Sequence, residues 1–94
     1  MTSLLFVMPG PLRELAANRG EVRVEGSARS VSEALSLLWA QCPAVRDRVI
    51  TELGEVRPHV NIFVDGESIR DSGGLGASVR EGAEIFILPA VSGG

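Results

Sequence analysis

Lysine and tyrosine are absent from this 94-residue sequence, and cysteine, histidine and tryptophan occur once each. All nine basic residues are arginine. Each shortage excludes a chemistry. Without lysine there is no Schiff base, no phosphate-loop lysine and no isopeptide acceptor on a side chain. Cys42 alone closes no internal disulfide and holds no zinc or iron–sulfur centre. The formal net charge of −3 argues against nucleic acid as the main partner, because phosphates call for a basic face. No segment approaches the roughly 20 apolar residues of a membrane span. The apolar start, Leu4 to Met8, halts at Pro9-Gly10-Pro11 and lacks a basic leader, so it reads as a strand and not a secretory signal. The expectation is a cytoplasmic protein with no membrane association. It lacks a plausible acid–base or nucleophile pair for an enzyme working alone.

What is present is enough for one domain. Apolar residues make up 45% of the chain, sufficient for a single core at this length. Leu4 to Met8 is a continuous apolar run, the mark of a strand buried on both faces. Pro11 to Ala17 suggests a short helical turn with proline at its start. Asn18-Arg19-Gly20 is a turn, and Glu21 to Glu25 alternates at strand period. Ser30-Val31-Ser32-Glu33 is a capping-box pattern. Val31, Ala34, Leu35, Leu38 and Cys42 then recur as one helical stripe that ends at Pro43. Val45, Val49 and Leu53 suggest a short second helix closed by Gly54. His59 to Val64, the Asp65-Gly66 turn and Glu67-Ser68-Ile69 read as a hairpin. Residues 71–76, with three glycines, read as a flexible loop. Ile85 to Leu88 is a last strand broken by Pro89.

One long helix covers one face of a sheet. The order strand, strand, helix, strand, short strand, strand therefore predicts an α+β fold of the β-grasp type. Four to five strands form a mixed sheet, with the first and last side by side in its middle. The domain spans residues 1–89, and residues 90–94 form a flexible arm. If Ile62, Val64, Ile85 and Ile87 pack on the helix, Phe63, Phe86 and Leu88 face outward as an apolar partner surface, unless residues 43–58 fold over it. Cys42 reads as a small buried hydrophobe, Trp39 as a half-buried packing residue and His59 as a solvent-facing residue. Arg46, Asp47 and Arg48 read as a solvated helix face. A β-grasp ferredoxin is excluded, since it needs four cysteines.

The sequence closes on Pro89-Ala90-Val91-Ser92-Gly93-Gly94. Two glycines suit an arm that threads a narrow channel, for they carry no side chain and accept most backbone angles. The reactive group of such an arm is the Gly94 carboxylate. It becomes an acyl donor once ATP adenylates it. This chain has no phosphate-binding loop of its own, so a partner must supply that step.

Together these segments resemble the ubiquitin-like sulfur carriers of the MoaD/ThiS/CysO type across almost the whole chain. The residues that carry the likeness are Pro11 to Ala16, the Ser30–Cys42 helix, Val60 to Arg70, Gly74-Leu75, Val79 to Ile85 and Leu88 to Gly94. The resemblance implies a carrier that binds no cofactor itself. Gly94 would be adenylated by an activating enzyme of the ThiF/MoeB kind and converted to a thiocarboxylate. Gly93, Ser92 and Val91 would thread the channel, and Phe63, Leu75, Phe86 and Leu88 would meet the partner. A sulfur-accepting biosynthetic enzyme would take the product, with the molybdopterin and cysteine branches favoured. In the former the chain would be the small subunit of a synthase. The alternative is a β-grasp interaction module without thiocarboxylate chemistry, for which the arm is dispensable.

Overall fold

The computed structural model describes residues 3–16 and 20–89. Five strands among these residues form one mixed sheet: β1 Ser3–Val7, β2 Glu21–Glu25, β3 Val60–Val64, β4 Glu67–Ser68 and β5 Glu84–Pro89. Their spatial order is β2-β1-β5-β3-β4, with β1 and β5 parallel and every other neighbouring pair antiparallel. The two most continuously apolar strands thus lie side by side at the centre, as β-grasp topology requires. Among the described residues four α-helices accompany the sheet: α1 Pro11–Leu15, α2 Val31–Gln41, α3 Pro43–Val49 and α4 Ile69–Ser72.

The strand period sorts side chains between two faces. Leu4, Phe6, Val22, Val24, Val60, Ile62, Ile85 and Ile87 point inward and are buried. Against them lie Val31, Ala34, Leu35, Leu38 and Cys42, the stripe of α2, all buried in the same cluster. Ser30 caps this helix, its hydroxyl accepting from the Glu33 N–H at 3.2 Å. The reciprocal half of the capping box is displaced by one residue. The Glu33 carboxylate accepts from the Arg29 N–H at 3.2 Å, so the box closes over the residue before the cap. The start of α2 is tied to the loop before β5 by Val31 N donating to the Ala77 carbonyl at 3.0 Å and Val79 N to the Arg29 carbonyl at 3.1 Å.

At the β3–β4 turn, Asp65 and Gly66 both have positive φ, 50° and 88°, as a two-residue hairpin loop demands. The Asp65 carboxylate accepts from the Glu84 N–H at 3.0 Å and from Arg80 Nε at 2.9 Å. The turn is thereby fastened to the entry of β5.

Three expectations need correction. The second helix stops at Val49, so Leu53 is not on its stripe and stands 84% exposed. Ile50 turns extended and bridges to Val56, and the Thr51 hydroxyl accepts from the N–H groups of Leu53 and Glu55 at 3.2 Å each. These bonds satisfy the loop backbone and leave Leu53 at its tip. Ile69 is the first residue of α4 and not a strand residue: Ser68 caps that turn by accepting from the Arg70 N–H at 3.3 Å, and Ile69 is buried. Residues 71–76, expected as a loop without structure, comprise the end of α4 and a 3-10 turn, Gly74–Gly76. Gly73 (φ 112°) and Gly74 (φ 66°) supply the backbone angles that join the two. Here the glycines build a turn.

Candidate functional site

The outer face of the sheet carries a row of apolar side chains across three strands. The register sets Phe63 opposite Phe86, Val7 beside Phe86 and Asn61 opposite Leu88. Paired residues share a face, with Cβ atoms about 4.5–5.5 Å apart. Phe63, Phe86, Leu88, Leu5 and Val7 are each half-buried. Residues 43–58 do not cover them. Val45, Val49 and Ile50 are buried in the cluster on the helix side, and Val56 packs against that same cluster. Charged residues flank the row on β2, where Glu21, Arg23 and Glu25 lie opposite Val7, Leu5 and Ser3. An apolar strip with a charged margin has the composition of a protein-docking surface.

The structure brings Phe63, Phe86 and Leu88 together, and it separates Leu75 from them. Leu75 lies in the 3-10 turn on the helix side, in a groove of about 200 Å3 lined also by Leu35, Trp39, Arg46 and Ile50. Its place next to α2 follows from the ordered turn at Gly74–Gly76, which a loop reading could not anticipate. Leu5 and Val7 are the surface members that sequence reasoning missed. The alternate burial along β1 marks them, but five consecutive apolar residues carry no period from which to read a face.

The other residues singled out take ordinary positions. Cys42 is buried, Trp39 is half-buried, and Arg46, Asp47, Arg48 and His59 are exposed. Among the described residues no group of three or more His, Cys, Asp or Glu side chains could hold a metal ion. No helix of the described residues is long and apolar enough to cross a membrane. Val91, Ser92, Gly93 and Gly94 lie outside the described residues, as does the expected boundary of the arm at residue 90. β5 fixes where that segment departs: Pro89 stands opposite Val60, at the end of the sheet where β1 finishes and β3 begins.

Comparison with known proteins gives this arrangement its context. A family model described as the ThiS family matches residues 7–94. Sulfur carrier protein CysO of Mycobacterium tuberculosis is 34% identical over 77 residues, covering 80% of this chain and 83% of the relative. Small archaeal modifier protein 1 of Haloferax volcanii is 37% identical over 84 residues, covering 88% of this chain and 91% of the relative. Among solved structures, a chain in the Amycolatopsis orientalis BexX/CysO complex superposes with a TM-score of 0.86 at 30% identity, covering 97% of this chain and 99% of that one.

Proposed function

The chain belongs to the ThiS family, a group of small ubiquitin-like carriers and modifiers, and on that premise we propose that it carries sulfur on the carboxyl group of Gly94. The observation that supports this most is the extent of the family match, which runs through residue 94 and so includes Gly93-Gly94. In the first step the Gly94 carboxylate attacks the α-phosphorus of ATP on an activating enzyme of the ThiF/MoeB kind, giving an acyl-adenylate and pyrophosphate. A sulfur nucleophile equivalent to hydrosulfide then adds to the acyl carbon and AMP leaves, giving the thiocarboxylate. The glycines leave the acyl carbon unhindered on both approaches. This chain contributes the acyl group and the docking face; the enzyme contributes nucleotide binding. The sulfur passes to a biosynthetic acceptor. The CysO relatives favour the cysteine-forming branch over the molybdopterin branch.

The direct test is intact mass after incubation with the activating enzyme, ATP and a sulfur donor. Replacement of one oxygen by one sulfur, mapped to Gly94, is the expected result. An unchanged mass with active enzyme present would leave a binding module without thiocarboxylate chemistry.

The apolar strip makes a separate expectation. Phe86→Glu should weaken binding to the activating enzyme by about 30-fold or more, the scale of a central interface residue. Its unfolding free energy should stay within about 1 kcal/mol of the parent, as for a surface substitution. Unfolding of that variant would instead assign Phe86 to the core.

A second reading has its own observation: a relative at 37% identity is named a modifier protein. The same acyl-adenylate attacked by a lysine amine of another protein would give an amide and AMP. This chain cannot be the acceptor through a side chain, having no lysine. Mass spectrometry separates the two outcomes, since a conjugate retains Gly94 in a branched peptide and a thiocarboxylate does not.

A further inference from the structure

The end of the sheet from which residues 90–94 continue carries arginines on its β3 side, although the chain as a whole is acidic. His59 immediately precedes Val60, the residue opposite Pro89. His59, Arg57, Arg48 and Asp47 line an open cavity of about 330 Å3. Arg57 is held there through backbone: its Nε donates to the Asp47 carbonyl at 2.8 Å, and its N–H donates to the Val49 carbonyl at 2.9 Å. Arg70 approaches the same segment from α4, donating through Nη2 to the carbonyls of Pro58 and Val60 at 3.0 Å each.

Carbonyl partners position a guanidinium without neutralising it. Among the described residues the carboxylates that pair with arginine are Asp65, with Arg80, and Asp47, with Arg46. Arg48, Arg57 and Arg70 therefore keep their charge in a chain with 12 acidic and nine basic residues. A purely structural role accounts for Arg57 and Arg70, which clip the segment entering β3. It does not account for Arg48, which is exposed on α3 at the cavity edge. Five residues follow Pro89 in the sequence, and they span at most about 17 Å when extended. A partner that engages Gly94 must place its own surface within that distance of this end of the sheet.

Granted the carrier chemistry proposed above, we infer that Arg48, Arg57 and Arg70 form a basic rim around the base of the C-terminal segment. Its occupant is an acidic protein surface on the activating enzyme, beside the channel that receives residues 90–94. The apolar strip supplies contact area, and the rim supplies attraction and orientation at the point of entry. Charges so placed act mainly on the association rate and are sensitive to salt.

The test is stopped-flow association of the full chain with its activating enzyme over a range of salt, together with ATP–pyrophosphate exchange. Arg48→Glu should slow association about tenfold at low ionic strength. The deficit should shrink toward 1 M salt, where the Debye length is about 3 Å. Arg29→Glu makes the same change in net charge outside the rim, on the residue whose carbonyl binds Val79, and should associate like the parent. Equal slowing by both variants would reduce the effect to net charge and overturn the rim. A raised KM for ATP with unchanged association would assign these arginines to the nucleotide and overturn it too. Failure of the unsubstituted chain to support exchange would refute the carrier reading itself, and the rim with it.

Discussion

Deleting Gly94 is expected to abolish activation, with ATP–pyrophosphate exchange falling at least about a hundredfold, since a misplacement of about 1 Å at a reacting centre already costs that much. Removing one residue shortens the reach by about 3.4 Å, so the new terminal carboxylate at Gly93 stops short of the phosphate it must attack. The unfolding midpoint should not move. The buried cluster of the described residues ends at Ile87, seven residues before the deleted one. Lost exchange with unchanged stability would place the reacting group at the terminus. Retained exchange would count decisively against the carrier reading and for a module that only binds.

The second large effect concerns the core. Phe6 is fully buried, flanked in the sheet by Val22 on β2 and Ile85 on β5. Phe6→Ala should cost about 3–5 kcal/mol, the transfer term plus the cavity left among neighbours that cannot collapse. A domain of this length has only about 5–14 kcal/mol in total. The variant should therefore lose a large share of its stability, read as a lowered urea midpoint with unchanged m-value. Leu5→Ala, one residue earlier on the outer face, should cost about 1 kcal/mol or less. Equal losses at the two positions would mean that the faces of β1 have been assigned wrongly.

These faces show what could be read before any coordinates. A repeat with a period is legible: the α2 stripe from Val31 to Cys42 is buried residue for residue, and the alternation of Glu21 to Glu25 is a strand with one wet side. Asp65-Gly66 is legible because few residue pairs accept two successive positive φ values. An unbroken apolar run is not legible in the same way, which hid Leu5 and Val7. Leu53 misled for a different reason. Its spacing from Val49 continues the helical pattern, but the backbone turns extended at Ile50 to bridge Val56, a pairing that hydrophobic spacing does not announce. The resemblance sets Leu75 with the phenylalanines, while its position depends on a turn closed by Gly73 and Gly74. The need of the Gly94 carboxylate for activation by a partner is legible from the residues, whereas the thiocarboxylate and the ThiF/MoeB kind of enzyme come from the resemblance.

The central position of β5 bears on how the carrier withstands being handled. That strand is bonded along both edges, parallel to β1 and antiparallel to β3, and it leads directly into the segment a partner would grip. A tug on that segment acts along the strand axis. It loads two ladders in shear at once, so their hydrogen bonds must fail together and not one after another as at a peeled edge. The handle thus continues a strand held on both sides, and an enzyme that pulls the terminus into a tight channel would load both ladders before the domain could open.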